Sequence, residues 1–200
     1  LVATAALAAQ AQAWPTKSVR IVVGFAPGGT TDGMARLLAQ NLTEAMGQTV
    51  IVDNKPGASG NLGAGEVVKA APDGYTLLIA PTSVETANPS LFKASFHPAK
   101  DLTAVAAIGR TAMYVISKPG LEVKDAKDLV TMAKANPGKL SYASAGAGTP
   151  PHLAAELFKQ QAGIFATHIP YRGAAPTLQD VMAGQADYVF DPGIAFPHIK

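Results

Sequence analysis

The chain contains no cysteine, which excludes a disulfide framework and any thiolate metal site. Charged residues are sparse, 15% of the total, and stand singly rather than in runs. A net charge of +2 spread that thinly leaves no nucleic-acid footprint. No Lys-Ser or Lys-Thr pair follows a glycine-rich loop and no Gly-x-Gly-x-x-Gly occurs, so nucleoside phosphates and dinucleotide cofactors are disfavoured. There is no Gly-x-Ser-x-Gly elbow and no pair of carboxylates that stands out, which gives catalysis little support. The four histidines, at 97, 152, 168 and 198, are dispersed, without the i, i+4 pair of a helical zinc site. We therefore expect no metal, no cofactor and no enzymatic activity.

Long apolar runs are also missing. The longest at the N-terminus, Leu1 to Ala9, is too short to span a bilayer. It leads into Ala11-Gln12-Ala13, a small-x-small pattern of the kind cut by signal peptidases, with Trp14-Pro15 beyond it. Residues 1–13 are read as the remnant of a signal peptide, and the mature protein as exported to the periplasm.

What is present is apolar material enough for a core, 48% of residues. The stretch Val19 to Arg36 reads as a buried strand, a glycine-rich loop and a helix start in immediate succession. The first N–H groups of a helix lack intrahelical partners and carry partial positive charge, so such a loop holds a carboxylate or phosphate without a charged side chain. Thr30, Thr31 and Asp32 are all competent N-caps, and Met34, Leu37, Leu38, Leu42 and Ala45 follow at helical spacing to a stop at Gly47. Strand 48–53, a loop at 54–61, helix 62–70 and strand 75–80 continue the alternation, which implies right-handed crossovers and a parallel sheet. Ligands on such sheets sit beyond the carboxyl ends of the strands. Those ends are Gly24 to Thr31, Lys55 to Asn61 and Pro81-Thr82-Ser83, three loops rich in Gly, Ser and Thr.

Residues 101–117 read as a crossing strand, after which a second unit copies the first. It has helix 125–135, strand 139–143, the loop Ser144 to Thr149, helix 150–161 stopped by Gly163, strand 166–171, helix 175–183 and strand 186–191. Thr149 is the expected N-cap with Pro150 at the favoured first helical position, making a second anion cradle. Two such lobes, 14–108 and 109–200, suit hinged closure on a small anion.

The combination WPTKSVRIVVGFAPGGTTDGMAR, VDNKPGASGNLGAGEV, APDGYTLL, LSYASAGAGTPPHLAAELFK and IPYRGAAPTLQDVMAGQADYVFD resembles the Bug family, TctC-like substrate-binding proteins of tripartite tricarboxylate transporters, over residues 14–200. The resemblance implies an α/β, type II periplasmic-binding-protein-like fold with a ligand cleft between two lobes, a small organic acid as ligand, held partly through ordered water, and membrane transporter subunits as partners. It implies ligand positions at Phe25, Ala26, Pro27, Gly28, Gly29, Thr30, Thr31, Asp32, Thr82 and Ser83 on the first lobe, and at Ser144, Gly146, Gly148, Thr149, His152 and Asp191 on the second. Family members run on to complete the second lobe, so the resemblance also implies that this chain is truncated there. A monomer is expected. A periplasmic sensor feeding a membrane kinase, or an α/β enzyme on the same bilobed plan, are the competing readings. Three residues keep two readings each. Asp32 is a ligand contact or simply a first-turn acid, His152 a ligand contact or a capping residue, and Arg172 a carboxylate clamp or a rim charge.

Overall fold

The structure is a computed structural model and describes residues 14–199. The expected export segment, residues 1–13, lies outside them. Two sheets organise the chain. In the first, β1 (Val19–Val23) lies between β2 (Val50–Asn54) and β3 (Thr76–Ile79), all parallel. The crossovers run through α1 (Thr30–Met46) and α2 (Asn61–Val68). Val19, Ile21 and Val23 pack with Ala35 and Ala39 of α1. Val22 points the other way, against Gly63 of α2. A central strand covered on both faces reads as a near-continuous apolar run, interrupted here by Arg20, and burying each apolar side chain contributes about 1.5–3 kcal/mol.

The second sheet has the order β4-β7-β5-β6, built from β4 (Tyr114–Ser117), β5 (Ser141–Ser144), β6 (Thr167–Pro170) and β7 (Tyr188–Asp191). β5 is parallel to β6 and β7, and β4 is antiparallel to β7. Tyr142, Tyr188 and Phe190 pack with Leu129, Ala133 and Ala155 from α6 (Ala126–Ala135) and α7 (Pro150–Ala162). Ala143 and Val189 turn to the opposite face and meet Val181 of α8 (Ala174–Met182).

Three expectations need correction. Residues 101–117 do not form one crossing strand. Only Tyr114–Ser117 pairs, and 103–112 is exposed with no strand partner among the described residues. Three short helices, α3 (Ser83–Thr86), α4 (Asn88–Leu91) and α5 (Pro98–Asp101), precede it where no helical periodicity is readable. The caps also differ. Gly29 holds the N-cap position of α1, with Thr30 and Thr31 already helical, and Asp32 reaches back from the third helical position to the Gly28 N–H at 2.9 Å, as the acid of a capping box does. Thr149 caps α7 by position, but its hydroxyl donates to the Gly146 carbonyl at 2.6 Å. Pro151 has no N–H to offer it.

Candidate functional site

The three carboxyl-end loops of the first sheet meet as a single rim because glycines let their backbones touch. A Cβ on Gly24 would lie 2.6 Å from Gly60 Cα, so neither loop tolerates a side chain there, and Gly60 in turn abuts the Phe25 ring and Val84. Ala58 and Ser59 between them adopt left-handed backbone, φ 47° and 52°. Asn88, fully buried on α4, donates to the Ser59 carbonyl at 3.0 Å and to Asn61 Oδ1 at 2.9 Å.

The loop after β5 folds over Ser144. The Gly146 N–H donates to Ser144 Oγ at 3.1 Å, and the Gly148 N–H to His152 Nδ1 at 3.1 Å. Below, Ser144 Oγ is 2.7 Å from His168 Nε2, whose ring stacks on Tyr142 at 4.8 Å and lies 4.4 Å from His152. Burial pushes His168 down to about 4, with the nearby His152 adding to the effect, and lowers His152 as well. The Tyr142 hydroxyl bonds Glu156, which also takes Lys159 Nζ at 2.7 Å. His168 is thus a bonded core residue. Neither nitrogen of a helical zinc pair appears, and among the described residues no group of three His, Cys, Asp or Glu could hold a metal ion.

The two rims are joined by one backbone bond, from the Ala26 N–H to the Arg172 carbonyl at 3.2 Å. Around it Gly28 and Gly29 face Ala175 and Ala174, Ser59 Oγ faces Gly146, and Leu91 and Asn88 face Gly148. Between them is a half-open cavity of about 250 Å³, lined on one side by Phe25, Gly57, Ala58, Ser59 and Phe92 and on the other by Ala145, Gly146, Ala147, Tyr171 and Arg172. The lining holds no acid, and Arg172 carries its one formal charge. The Ala145 and Ala147 amides donate to no protein acceptor among the described residues. Burial, with a bond to Asp180, raises Tyr171 to about 12, so its hydroxyl keeps its proton. A larger groove of about 370 Å³ lies between α1 and the outer strand β2, lined by Arg36, Gln40, Thr43 and Glu44. None of the glycine-rich loop residues lines it, and its one cation, Arg36, is already bonded to Asp32 and Asn54.

Of the residues expected to bind, Phe25 and Gly146 line the cavity, while Ala26, Gly28, Gly29 and Gly148 form the seam beside it. Pro27 and Thr82 are exposed, and Thr31 sits in the first turn of α1. Thr30 Oγ1 and Ser83 Oγ are buried without a protein partner. The remaining polar groups are engaged internally. Asp32, 3% exposed, accepts from Gly28, from Arg36 Nε at 2.9 Å and from Asn54 Nδ2 at 2.9 Å. Burial raises its pKa, but these donors outweigh that and hold it below the usual carboxylate range. These bonds are those of a first-turn acid. His152 serves Gly148, Ser144 and Thr149 brace the loop from below, and Asp191 accepts from the Gly193 and Ala195 N–H groups at 2.7 and 3.0 Å. None of these five lines the cavity. Ala58 and Ser59 belong to the loop 55–61 expected at the rim without being named as ligand positions, and Asn88 and Phe92 were not expected. The cluster Pro56-Gly57-Ala58-Ser59-Gly60 signals the turn, whereas nothing in sequence signals Asn88.

The family profile described as "Tripartite tricarboxylate transporter family receptor" matches residues 34–200. BugT of Bordetella pertussis is 35% identical over 190 residues, covering 92% of this chain and 57% of that protein. The R. palustris protein solved with adipate superimposes with a TM-score of 0.89 at 37% identity, covering 92% of this chain and 62% of the other. MatC from Rhodopseudomonas palustris with bound malate gives 0.83 at 32% identity, covering 89% and 61%. The fold is therefore that of the type II periplasmic binding proteins. The chain spans 53% to 60% of the length of the curated relatives that it matches from end to end.

Proposed function

Since the chain belongs to the tripartite tricarboxylate transporter receptor family, we propose that it is a periplasmic receptor which captures a small organic acid between its lobes and presents it to membrane transporter subunits. The observation that carries this reading is the acid-free cavity between the two rims, with Arg172 as its one charge. Its volume of about 250 Å³ falls below the roughly 300–1,000 Å³ of sites for drug-sized ligands, which fits a small molecule. Adipate and malate in the two solved relatives are of that class. The Ala145 and Ala147 amides supply donors that favour a carboxylate, and Arg172 supplies a second, charged contact at the rim. The buried, unpartnered Thr30 and Ser83 hydroxyls suit a ligand or an ordered water.

Calorimetric titration and thermal shift of the intact protein against mono-, di- and tricarboxylates, including adipate and malate, and against sugars and cations test the proposal. We expect one site, stabilisation confined to carboxylates, and recovery of the ligand chemically unchanged. Stabilisation by sugars or cations alone overturns it, as does turnover of the bound acid.

A further inference from the structure

We propose that Asn88 is a positioning residue for the cavity: it fastens the Ala58–Ser59 turn in the left-handed conformation that brings Ser59 to the second lobe, and so controls ligand affinity without touching the ligand. For its ligand this rests on the receptor reading above; for its geometry it does not. Two consecutive non-glycine residues in left-handed backbone are disfavoured by contact between Cβ and the following carbonyl, and such conformations persist only where the surroundings over-determine them. Ala58 and Ser59 both line the cavity. The ends of the turn are tied by the Gly60 and Leu62 N–H groups to the Gly57 carbonyl. Its apex is held from outside by Asn88, which among the described residues is the one side chain bonded to the backbone of residues 57–60.

Asn88 is built for that task. It is 1% exposed, and both amide hydrogens are used, one on the Ser59 carbonyl and one on Asn61 Oδ1. Turning the amide over would set its oxygen against two oxygens, so the orientation is fixed. Its Oδ1 then faces the second lobe with no donor, 3.2 Å from where a Cβ on Gly148 would sit. One side chain thereby spans the strained turn and the seam. On the far side of that turn Ser59 Oγ lies against Gly146, 2.9 Å from the position of a Cβ there.

The test compares Asn88→Asp and Asn88→Ala with Leu129→Ala, a core change in the second lobe away from the cavity. Adipate and malate affinities are measured beside melting temperatures, with hydrogen exchange of residues 57–62 followed in the unliganded protein. Asn88→Asp keeps the shape but removes both donors, so affinity should fall by about tenfold or more and exchange at 57–62 should quicken while α7 is unchanged. Leu129→Ala should lower the melting temperature and leave affinity alone. Adding Ala58→Gly to Asn88→Ala should restore part of the lost affinity, because glycine adopts the left-handed turn without help. Unchanged affinity in Asn88→Asp overturns the proposal, and so does unchanged exchange at 57–62. If the wild type binds no carboxylate the receptor reading fails, and the exchange result alone decides the role of Asn88.

Discussion

Gly148 carries two readings in the sequence, a ligand position and a backbone position. As a small residue that leaves room for a ligand it would let Gly148→Leu spare the fold, whereas as a positive-φ position it would make Gly148→Ala and Gly148→Leu both destabilising. In the structure its φ is +78° and a Cβ would lie 2.6 Å from Leu91 Cδ1 and 3.2 Å from Asn88 Oδ1. The space is taken by the other lobe. Even Gly148→Ala should therefore cost on the order of 1 kcal/mol or more in urea denaturation and weaken adipate binding at the same time. A Gly148→Ala protein as stable as the wild type, with full affinity, would contradict this placement. Arg172 follows a similar course: a loop cation with two readings in sequence becomes a cavity residue once the Ala26 bond to its carbonyl is seen.

At the scale of elements, β5, β6 and α7 share a buried polar layer whose members titrate. His168 faces Ser144 from β5, Tyr142 by stacking, and His152, Glu156 and Lys159 from α7. In the folded protein it stays neutral down to about pH 4, whereas unfolded it protonates near 6.5. The unfolded chain thus binds more protons between these values, and the native state loses stability as pH falls from 6.5 to 4, by up to about 3 kcal/mol. His152, shifted in the same direction, adds to the loss. The urea midpoint should be level from pH 8 to 7 and drop below, and His168→Gln should flatten the drop; an equally steep fall in that variant argues against the assignment. The layer was only half legible. Hydrophobic period and glycine stops, Gly47 and Gly163, place the long helices and buried strands, because those signals are local. The cap of α1 was misread since Thr30, Thr31 and Asp32 compete equally until the Gly28 N–H picks the acid. Helices α3 to α5 are single turns set by packing, and the Ser144–His168 contact joins residues 24 apart, which no spacing rule reaches.

For the whole molecule, the relation between the lobes decides whether the cavity exists. Ala174 and Ala175 at the start of α8 lie 3.6 and 3.4 Å from where Cβ atoms on Gly29 and Gly28 would sit, so the seam is narrow and made of small residues. Ala175→Trp should wedge it apart. Because each sheet keeps its own core, melting temperature should change little while adipate binding is lost and small-angle scattering reports a wider molecule. Undiminished binding in that variant would mean that the lobes do not close over the ligand.

Among the described residues the seam's one hydrogen bond between backbones, Ala26 N–H to Arg172 carbonyl, is drawn from groups that every residue but proline supplies on the donor side and every residue supplies on the acceptor side. The latch is consequently blind to side-chain identity. Side chains at positions 26 and 172 can therefore change while the same fastening between the rims is kept. A proline at position 26 would remove that donor.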